Sequence, residues 1–491
     1  MLILVGVTVT ISIDGGLIES TRNAKKQTEI QNEKEAIQKA QITMRTANKN
    51  KTADTFKSIL KEEVGNKKIV VSEAGEFIEI LFEDENRYYE IDENNNLNGP
   101  FDVIKDNYTG DITKGYKLDG SSERPYQISC IEDLVMLANR VNVAGNYINA
   151  NGEIKEATGE GNFPFKNKNF ILTRDLNFES KYSYGNLDLK WSYDSEQDAY
   201  IIDEQSTKTL KEIITDKDGV GFVPISPDTG SSNLMFSGNL DGQGHTIYNL
   251  YENRDTGNAG LFRSLQDSTI KNLTLTGNIN APGKKVGVFS YIGTRTNFYN
   301  CCNKVNISRE TVEASGFLHS CRGNLTMVNC YNLGKGMSHG GLTGFNDVYW
   351  TRNIVNCYNL GTMVGRTAEN SSYKNTSGIM GGIYAGNKEQ TTNIINTCSL
   401  GRITNYGNNF YYAWGGAEVN LENCFYPASM VEKNDKITVN EGSIAIDKNN
   451  VQDVLEQLNT YVEEHKNDYE VPLKEWKLET VNGEKMPVLV D

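Results

Sequence analysis

The segments MVNCYNLG (Met327–Gly334) and IVNCYNLG (Ile354–Gly361) repeat nearly letter for letter, and weaker copies flank them as IKNLTLTG, FYNCCNKV, IINTCSLG and LENCFYPA. The shared asparagines are Asn272, Asn300, Asn329, Asn356, Asn396 and Asn423, spaced by 28, 29, 27, 40 and 27 residues. A second signature alternates with the first, a glycine followed by apolar residues: Gly260-Leu261-Phe262, Gly287-Val288-Phe289, Gly316-Phe317-Leu318, Gly341-Leu342-Thr343-Gly344 and Gly378-Ile379-Met380-Gly381. Self-similarity at a fixed period marks an array in which each unit buries its apolar face on the next. This period predicts one coil of a right-handed, three-stranded parallel β-helix, the longest interval carrying a loop of about a dozen residues within Arg366–Lys388.

Coils of such a solenoid stack at about 4.8 Å, so equivalent residues form ladders. An inward asparagine at each corner would bond the backbone of its own turn and the asparagine of the next coil. The glycines that follow, Gly334, Gly361 and Gly401, would supply a positive φ at the corner. Cys301, Cys330, Cys357 and Cys424 come directly after the repeated asparagines. They read as small buried ladder residues rather than disulfides or zinc ligands, because no C-x-x-C spacing is present and histidine is scarce. No metal and no cofactor are expected.

The array has ends to cover. Ser129 can cap a helix whose Leu134, Leu137, Ala138 and Val141 share one face, ahead of the first coil. Val451, Val454, Leu455, Leu458 and Val462 form a similar face near the C-terminus, followed by a strand pair around Asn482-Gly483, and both would close the last coil. Ahead of the array, LIESTRNAKKQTEIQNEKEAIQKAQITM (Leu17–Met44) is a polar helical stretch with Ile30, Ile37 and Met44 every seven residues, a thin stripe suited to a partner helix. A second helix, Thr52–Val64, precedes short strands joined by Gly75 and by the acidic turn Glu83-Asp84-Glu85-Asn86. That turn lacks the spacing and central glycine of an EF-hand and reads as a solvated hairpin rather than a Ca²⁺ site. The expected organisation is mainly β: a helix (1–50), a small α+β head (51–115), the β-helix (116–430) and a C-terminal helix and hairpin cap (431–491).

Composition removes several classes. The 491 residues carry 64 acidic and 49 basic side chains, a net charge of −15, which argues against a nucleic-acid backbone binder. With 25 Tyr, 45 Gly and 9 Pro the chain is not disordered, and eight Cys do not make a disulfide scaffold. Met1–Ile13 is the one strongly apolar stretch; it is short of the roughly 18–20 residues of a membrane span and lacks preceding basic residues, so a degenerate signal peptide or a buried strand is one account of it.

Two family resemblances follow. The apolar Leu4-Val5-Gly6-Val7-Thr8, Gly16-Leu17-Ile18, Thr28-Glu29 and Glu33-Lys34-Glu35-Ala36-Ile37-Gln38, with a small β unit behind them, resemble the Gram-positive form of type IV pilins and pseudopilins. That likeness implies an extracellular protein anchored through its stem before or during assembly with pilin-like subunits. The family's basic leader, cleavage-site glycine and early glutamate are not in this stretch, which implies a start upstream of Met1 or a stem without its processing signal. The glycine and asparagine repeats, with Phe222–Tyr251 as a first coil, resemble the GLUG-motif surface proteins of bacteria. Asp241-Gly242-Gln243-Gly244-His245 within that coil reads as a tight turn rather than a catalytic pentapeptide.

For function, a structural or adhesive role with a glycan or protein ligand is expected. Tyr406, Phe410, Tyr411, Tyr412 and Trp414 form the candidate exposed aromatic patch; Tyr331, Tyr349, Trp350, Tyr358 and Tyr384 are further aromatics, half or more of them expected in the core. An enzyme of the polysaccharide lyase or hydrolase kind is the first alternative, and a minor pseudopilin of a secretion or DNA-uptake system the second. Catalysis would need carboxylates gathered on one face. Those between Gly260 and Tyr426, namely Asp267, Glu310, Glu313, Asp347, Glu369, Glu389, Glu418 and Glu422, show no repeated pair on one strand, and no H-E-x-x-H occurs. His245, His319, His339 and His465 are scattered; His319 and His339 would be neighbours on adjacent coils, but exposed single turn histidines are the expectation.

Overall fold

In the computed structural model, all six repeat asparagines adopt the left-handed backbone, at φ between 48° and 56°. Asparagine is one of the few residues that enters this region at modest cost. The structure describes residues 25–47, 52–74, 77–85, 87–91, 95–102, 120–142, 146–148, 154–156, 165–227, 235–308, 313–346, 350–365, 376–384, 391–414 and 418–490. The stem Met1–Ile13 lies outside them. The chain divides into two compact units, Met1–Lys105 and Asp106–Asp491.

The larger unit is a parallel β-solenoid of about six turns. Its first face stacks Asn239–Asp241, Thr269–Lys271, Thr296–Tyr299, Leu325–Val328, Arg352–Val355 and the leading halves of Thr391–Ser399 and Glu418–Pro427. From Thr269–Lys271 onward each strand runs into its corner asparagine, and the chain continues on the second face. The third face is a six-stranded parallel sheet, Phe262–Gln266, Ser290–Thr294, Leu318–Cys321, Thr343–Asn346, Met380–Tyr384 and Tyr411–Trp414. Met380–Tyr384 falls inside the range assigned to the long loop; residues 366–375 and 385–388 of that range lie outside the described residues.

Alternation on either side of the corner explains the repeat. Leu325 and Met327 point into the main core, Asn329 turns the chain, and Cys330 points inward again. Val328 and Tyr331 point the other way, into a second apolar cluster on the flank. Cys301, Cys357 and Cys424 repeat the inward placement of Cys330; all eight cysteines are buried and unbridged. Burial pushes the Cys301 and Cys330 thiols well above their ordinary range. On the third face Phe289 and Phe317 stack at 4.5 Å with rings 4° apart, and Phe298 meets both edge-on.

The asparagine side chains form a continuous ladder. Asn300 donates to Asn272 (2.9 Å), Asn329 to Asn300, Asn356 to Asn329 and Asn396 to Asn356 (each 2.8 Å), and Asn423 to Asn396. The ladder faces outward, not inward, because the following residue, a cysteine in four coils, Leu273 in the first and Thr397 in another, takes the inward position. A second, interior ladder runs through Asn303, Asn332 and Asn359, at 2.7 and 2.8 Å. The glycines after it do not carry a positive φ. A Cβ on Gly361 would lie 2.1 Å from the Gly334 carbonyl oxygen, and one on Gly401 would lie 2.1 Å from that of Gly361. Gly334, Gly361 and Gly401 are therefore required by the close approach of successive coils.

Helix α3 (Ile131–Asn142) precedes the stack, its start closed by Asp133, whose carboxylate accepts from Ser129 N, Ser129 Oγ and Cys130 N, and the short helix α4 (Leu210–Ile214) comes before the repeat strands. Helix α6 (Val451–His465) buries Val454, Leu458 and Val462, and the antiparallel hairpin Trp476–Val481/Glu484–Leu489 follows. This segment lies along the flank over several coils. Pro472, Lys474 and Leu458 carbonyls accept from Asn329, Asn356 and Asn396, and Trp476 Nε1 donates to Asn356 Oδ1 at 2.6 Å. Tyr331 and Tyr358 stack at 4.8 Å beneath it.

The smaller unit packs α1 (residues 25–46) and α2 (Ala53–Val64) with a meander of β1 (Ile69–Ala74), β2 (Phe77–Phe82), β3 (Arg87–Ile91) and β4 (Leu97–Asp102). Ile37 and Met44 are buried with Ile78, Ile80 and Tyr89, so the seven-residue stripe packs on its own sheet rather than awaiting a partner helix. Glu33 is buried and accepts from Arg87, Lys67 and Tyr89. Burial alone would raise its carboxyl; those three donors hold it below the usual range. Glu85 and Asp84 of the acidic turn sit near Lys67, Arg87 and Lys68, as a neutralised hairpin turn would.

Asn356 makes four side-chain hydrogen bonds, to Asn329, Asn396, Lys474 and Trp476. Asn356→Ala removes all four bonds from a buried site and places alanine at positive φ, for an expected loss of about 3 kcal/mol or more. Asn356→Gly should lose about 1 kcal/mol less, since glycine bears no left-handed cost. Urea titration followed by Trp476 fluorescence checks both.

Candidate functional site

Three positions of the solenoid could carry chemistry. The first is a groove of about 940 Å³ beside the last coils. Its floor is the turn after the stacked glycines. Lys335, Thr362 and Arg402 each follow one of them, so they occupy one register position on three successive coils. Its walls are α5 (Ala428–Glu432) with Lys433 and Lys436, and the hairpin tip Val481–Glu484. Asn434 donates to the carbonyls of Ile403 and Asn405, at 3.1 and 2.7 Å, and so fixes wall to floor. Lys335, Arg402, Lys433 and Lys436 are exposed. Glu484 is the one carboxylate in the described lining, held by Ser429 at 2.9 Å and Lys433 at 3.5 Å. In a chain of net charge −15, this concentrates cations around one cleft.

The aromatic patch is only partly assembled at this end. Phe410 is fully buried in the core and leaves the patch, because it takes an inward place in the turn just before the strand Tyr411–Trp414. Tyr411 packs partly against the same core, and Tyr412 is half-buried. Tyr406 is half-buried next to the groove, with Lys436 Nζ 5.0 Å from its ring centroid. The side chains of Trp414 and Tyr384, and all of Tyr349, lie outside the described residues. Tyr331 and Tyr358 are covered by the flank segment.

The second position is a buried charge cluster at the first coils. Asp198, in the hairpin Trp191–Asp194/Ala199–Ile202, accepts from Tyr193 (2.8 Å), from both terminal nitrogens of Arg254 (3.0 and 3.1 Å) and from Arg263. Burial raises its carboxyl, but the two guanidiniums overcome this and bring it down to about 2. Glu252, fully buried beside them, accepts from Gly260 N at 3.0 Å, and burial pushes it up to about 8. With Arg254 and Arg263 at 1% and 2% side-chain exposure, the cluster is a latch holding the hairpin to the solenoid rather than a substrate site.

The third position holds His319 and His339. Exposed turn histidines were expected here; they are 2% and 3% exposed and lie on adjacent coils with ring centroids 5.6 Å apart. The space that His339 fills is left by Gly381, two coils beyond His319 in the same register, and so shows only once the register is known. Glu313 is 2.9 Å from His319. Asp241 of the Asp-Gly-Gln-Gly-His segment accepts from Gln243 N and Asn272 Nδ2, with Gln243 and Gly244 at positive φ, as a tight turn requires. Among the other carboxylates weighed for catalysis, Asp267 is paired with Arg295, while Glu310, Asp347, Glu369 and Glu389 lie outside the described residues.

Glu252 gives a pH prediction. A carboxyl with a raised folded pKa keeps its stabilising contribution below the unfolded value, near 4.5, and loses it as pH rises through about 8. Glu252→Gln should therefore match the wild-type stability near pH 5 and exceed it at pH 8. Urea midpoints of both proteins at the two pH values check this.

No family model matches the chain, and no curated protein matches its sequence. Among solved structures, a protein of Bacteroides ovatus described as a "putative immunoglobulin A1 protease" is similar over 80% of this chain and 99% of that one, with 16% identity and a TM-score of 0.44. At that likeness nothing about activity carries over, and the site has to be read from this chain's own residues.

Proposed function

We propose that this protein is a cell-surface structural or adhesive solenoid whose C-terminal groove binds an acidic glycan. The observation that carries this is the row of Lys335, Thr362 and Arg402 on successive coils, faced by Lys433 and Lys436. A row repeating at the coil spacing suits a polymer with regularly placed carboxylates or sulfates, and Arg402 can engage a carboxylate through two donors. Tyr406 offers an aromatic face to a sugar ring at the groove's edge. A glycosidase would need a pair of carboxylates roughly 5–9.5 Å apart facing the substrate; Glu484 alone, tied to Ser429 and Lys433, supports binding instead of hydrolysis.

The N-terminal unit would join pilin-like subunits through its helix and stem, placing the protein outside the cell. Because Ile37 and Met44 are spent on the unit's own sheet, such a contact would use the exposed side of α1 and the residues before it.

Calorimetric titration with polygalacturonate, sulfated glycan and neutral dextran tests the reading. The acidic polymers should bind, with affinity falling steeply as salt rises, and dextran should not. Arg402→Ala should weaken binding about 10–100-fold, in line with about 1.5–3 kcal/mol for a charged hydrogen bond. Equal binding of dextran, or an unchanged affinity in Arg402→Ala, would overturn it.

A further inference from the structure

The histidine pair lies on a part of the solenoid that the groove does not use, and its reading is independent of the glycan proposal. Glu313 comes from the short strand Glu313–Ser315, which connects the second and third faces. His319 comes from the third-face strand Leu318–Cys321. His339 comes from the same connecting position one coil later, where its N–H donates to the Ala314 carbonyl at 2.9 Å. Three segments from two adjacent coils thus bring two imidazoles and a carboxylate together. One ligand-type atom from each lies within 4.8 Å of the other two.

Glycines make the space. In register with His319 stand Tyr291 on the preceding coil and Gly344 and Gly381 on the next two. A Cβ on Gly381 would lie 2.4 Å from His339 Cδ2 and 2.9 Å from Nε2, so the His339 ring occupies the place of that missing side chain. Glu313 Oε2 is 2.9 Å from His319 Nε2 and 3.0 Å from Lys285 Nζ. His319 Nδ1 is buried without a hydrogen-bond partner, a position that ordinarily carries a cost.

We propose that Glu313, His319 and His339 form a binding site for a divalent transition-metal ion of the Zn²⁺ class, with the fourth position open to water. Two imidazoles and one carboxylate suit Zn²⁺, Co²⁺ or Ni²⁺ and not Ca²⁺ or Mg²⁺, which take oxygen sets. Bonds of about 2.0–2.2 Å place the donors around a tetrahedral ion roughly 3.3 Å apart, so no pair has to close by more than roughly 1.5 Å. Lys285, with its side chain 43% exposed, moves out to solvent as the ion takes its place beside Glu313. The ion would clip two coils together at the edge of the third face.

The test uses the untagged full chain, stripped with EDTA and titrated with Co²⁺ and Zn²⁺. The expected result is one Co²⁺ per chain with the visible bands of a tetrahedral N/O site, displaced by one equivalent of Zn²⁺, and a raised melting temperature in Zn²⁺. Glu313→Gln, which preserves side-chain shape, and His339→Ala should each weaken binding at least ten-fold, while His245→Ala should leave it unchanged. If His339→Ala fails to fold by circular dichroism, Glu313→Gln alone decides. Absence of stoichiometric binding by the wild type, or binding by Glu313→Gln at wild-type affinity, would overturn the assignment.

Discussion

The asparagine at each corner is the constraint on which the rest of this molecule depends. A parallel solenoid must turn sharply at the same place in every coil, and the turn needs a residue that tolerates a left-handed backbone. It must also satisfy polar groups at a position where each coil covers the one before. Asparagine does both: Asn272, Asn300, Asn329, Asn356, Asn396 and Asn423 hold positive φ, and their amides pass a hydrogen bond from coil to coil. The outward direction of the ladder has a structural result. Its remaining donors and acceptors need partners, and α6 with the C-terminal hairpin supplies them through Pro472, Lys474, Leu458 and Trp476.

One flank is therefore occupied by the protein's own chain, over Tyr299, Val328, Tyr331, Val355 and Tyr358. The latch at Asp198, Arg254 and Arg263 fixes the hairpin over the first coils in a comparable way. Beside the last coils the turn after the stacked glycines stays open, and there exposed Lys335 and Arg402 rise in register between α5 and the hairpin tip. The cleft thus owes its cations to the repeat and its walls to the segment that covers the ladder.

Much of the fold was legible in the residues, because period, corner asparagine and helical faces are all local patterns. The 27- and 28-residue spacings placed the coils, and Val454, Leu458 and Val462 appeared as one face and are buried as one. The inward direction assigned to the ladder failed because period alone does not distinguish which of two adjacent residues, Asn329 or Cys330, faces the core. Gly334, Gly361 and Gly401 were assigned a dihedral role, whereas what demands them is a carbonyl from another coil, which no local pattern displays. The same limit hid the burial of His319 and His339, since it depends on Gly344 and Gly381 coming into register with His319 and on the His339 ring filling the space beside Gly381. Phe410 reads as part of an exposed patch because Phe410-Tyr411-Tyr412-Ala413-Trp414 are aromatic or apolar throughout, and nothing local separates the residue that turns inward from those that do not. The cation row, by contrast, could have been found: Lys335, Thr362 and Arg402 are each the residue after a repeated glycine.

The central claim is that the corner ladder joins the solenoid and its C-terminal segment into one cooperative body. Hydrogen-exchange mass spectrometry on the full chain, across a series of low urea concentrations, addresses it most directly. Amides of Leu325–Val328, Arg352–Val355 and Val451–His465 should reach exchange with the same free energy and the same urea dependence. Exchange of Val451–His465 and Trp476–Leu489 at a markedly lower free energy, with the corner strands still protected, would contradict the account.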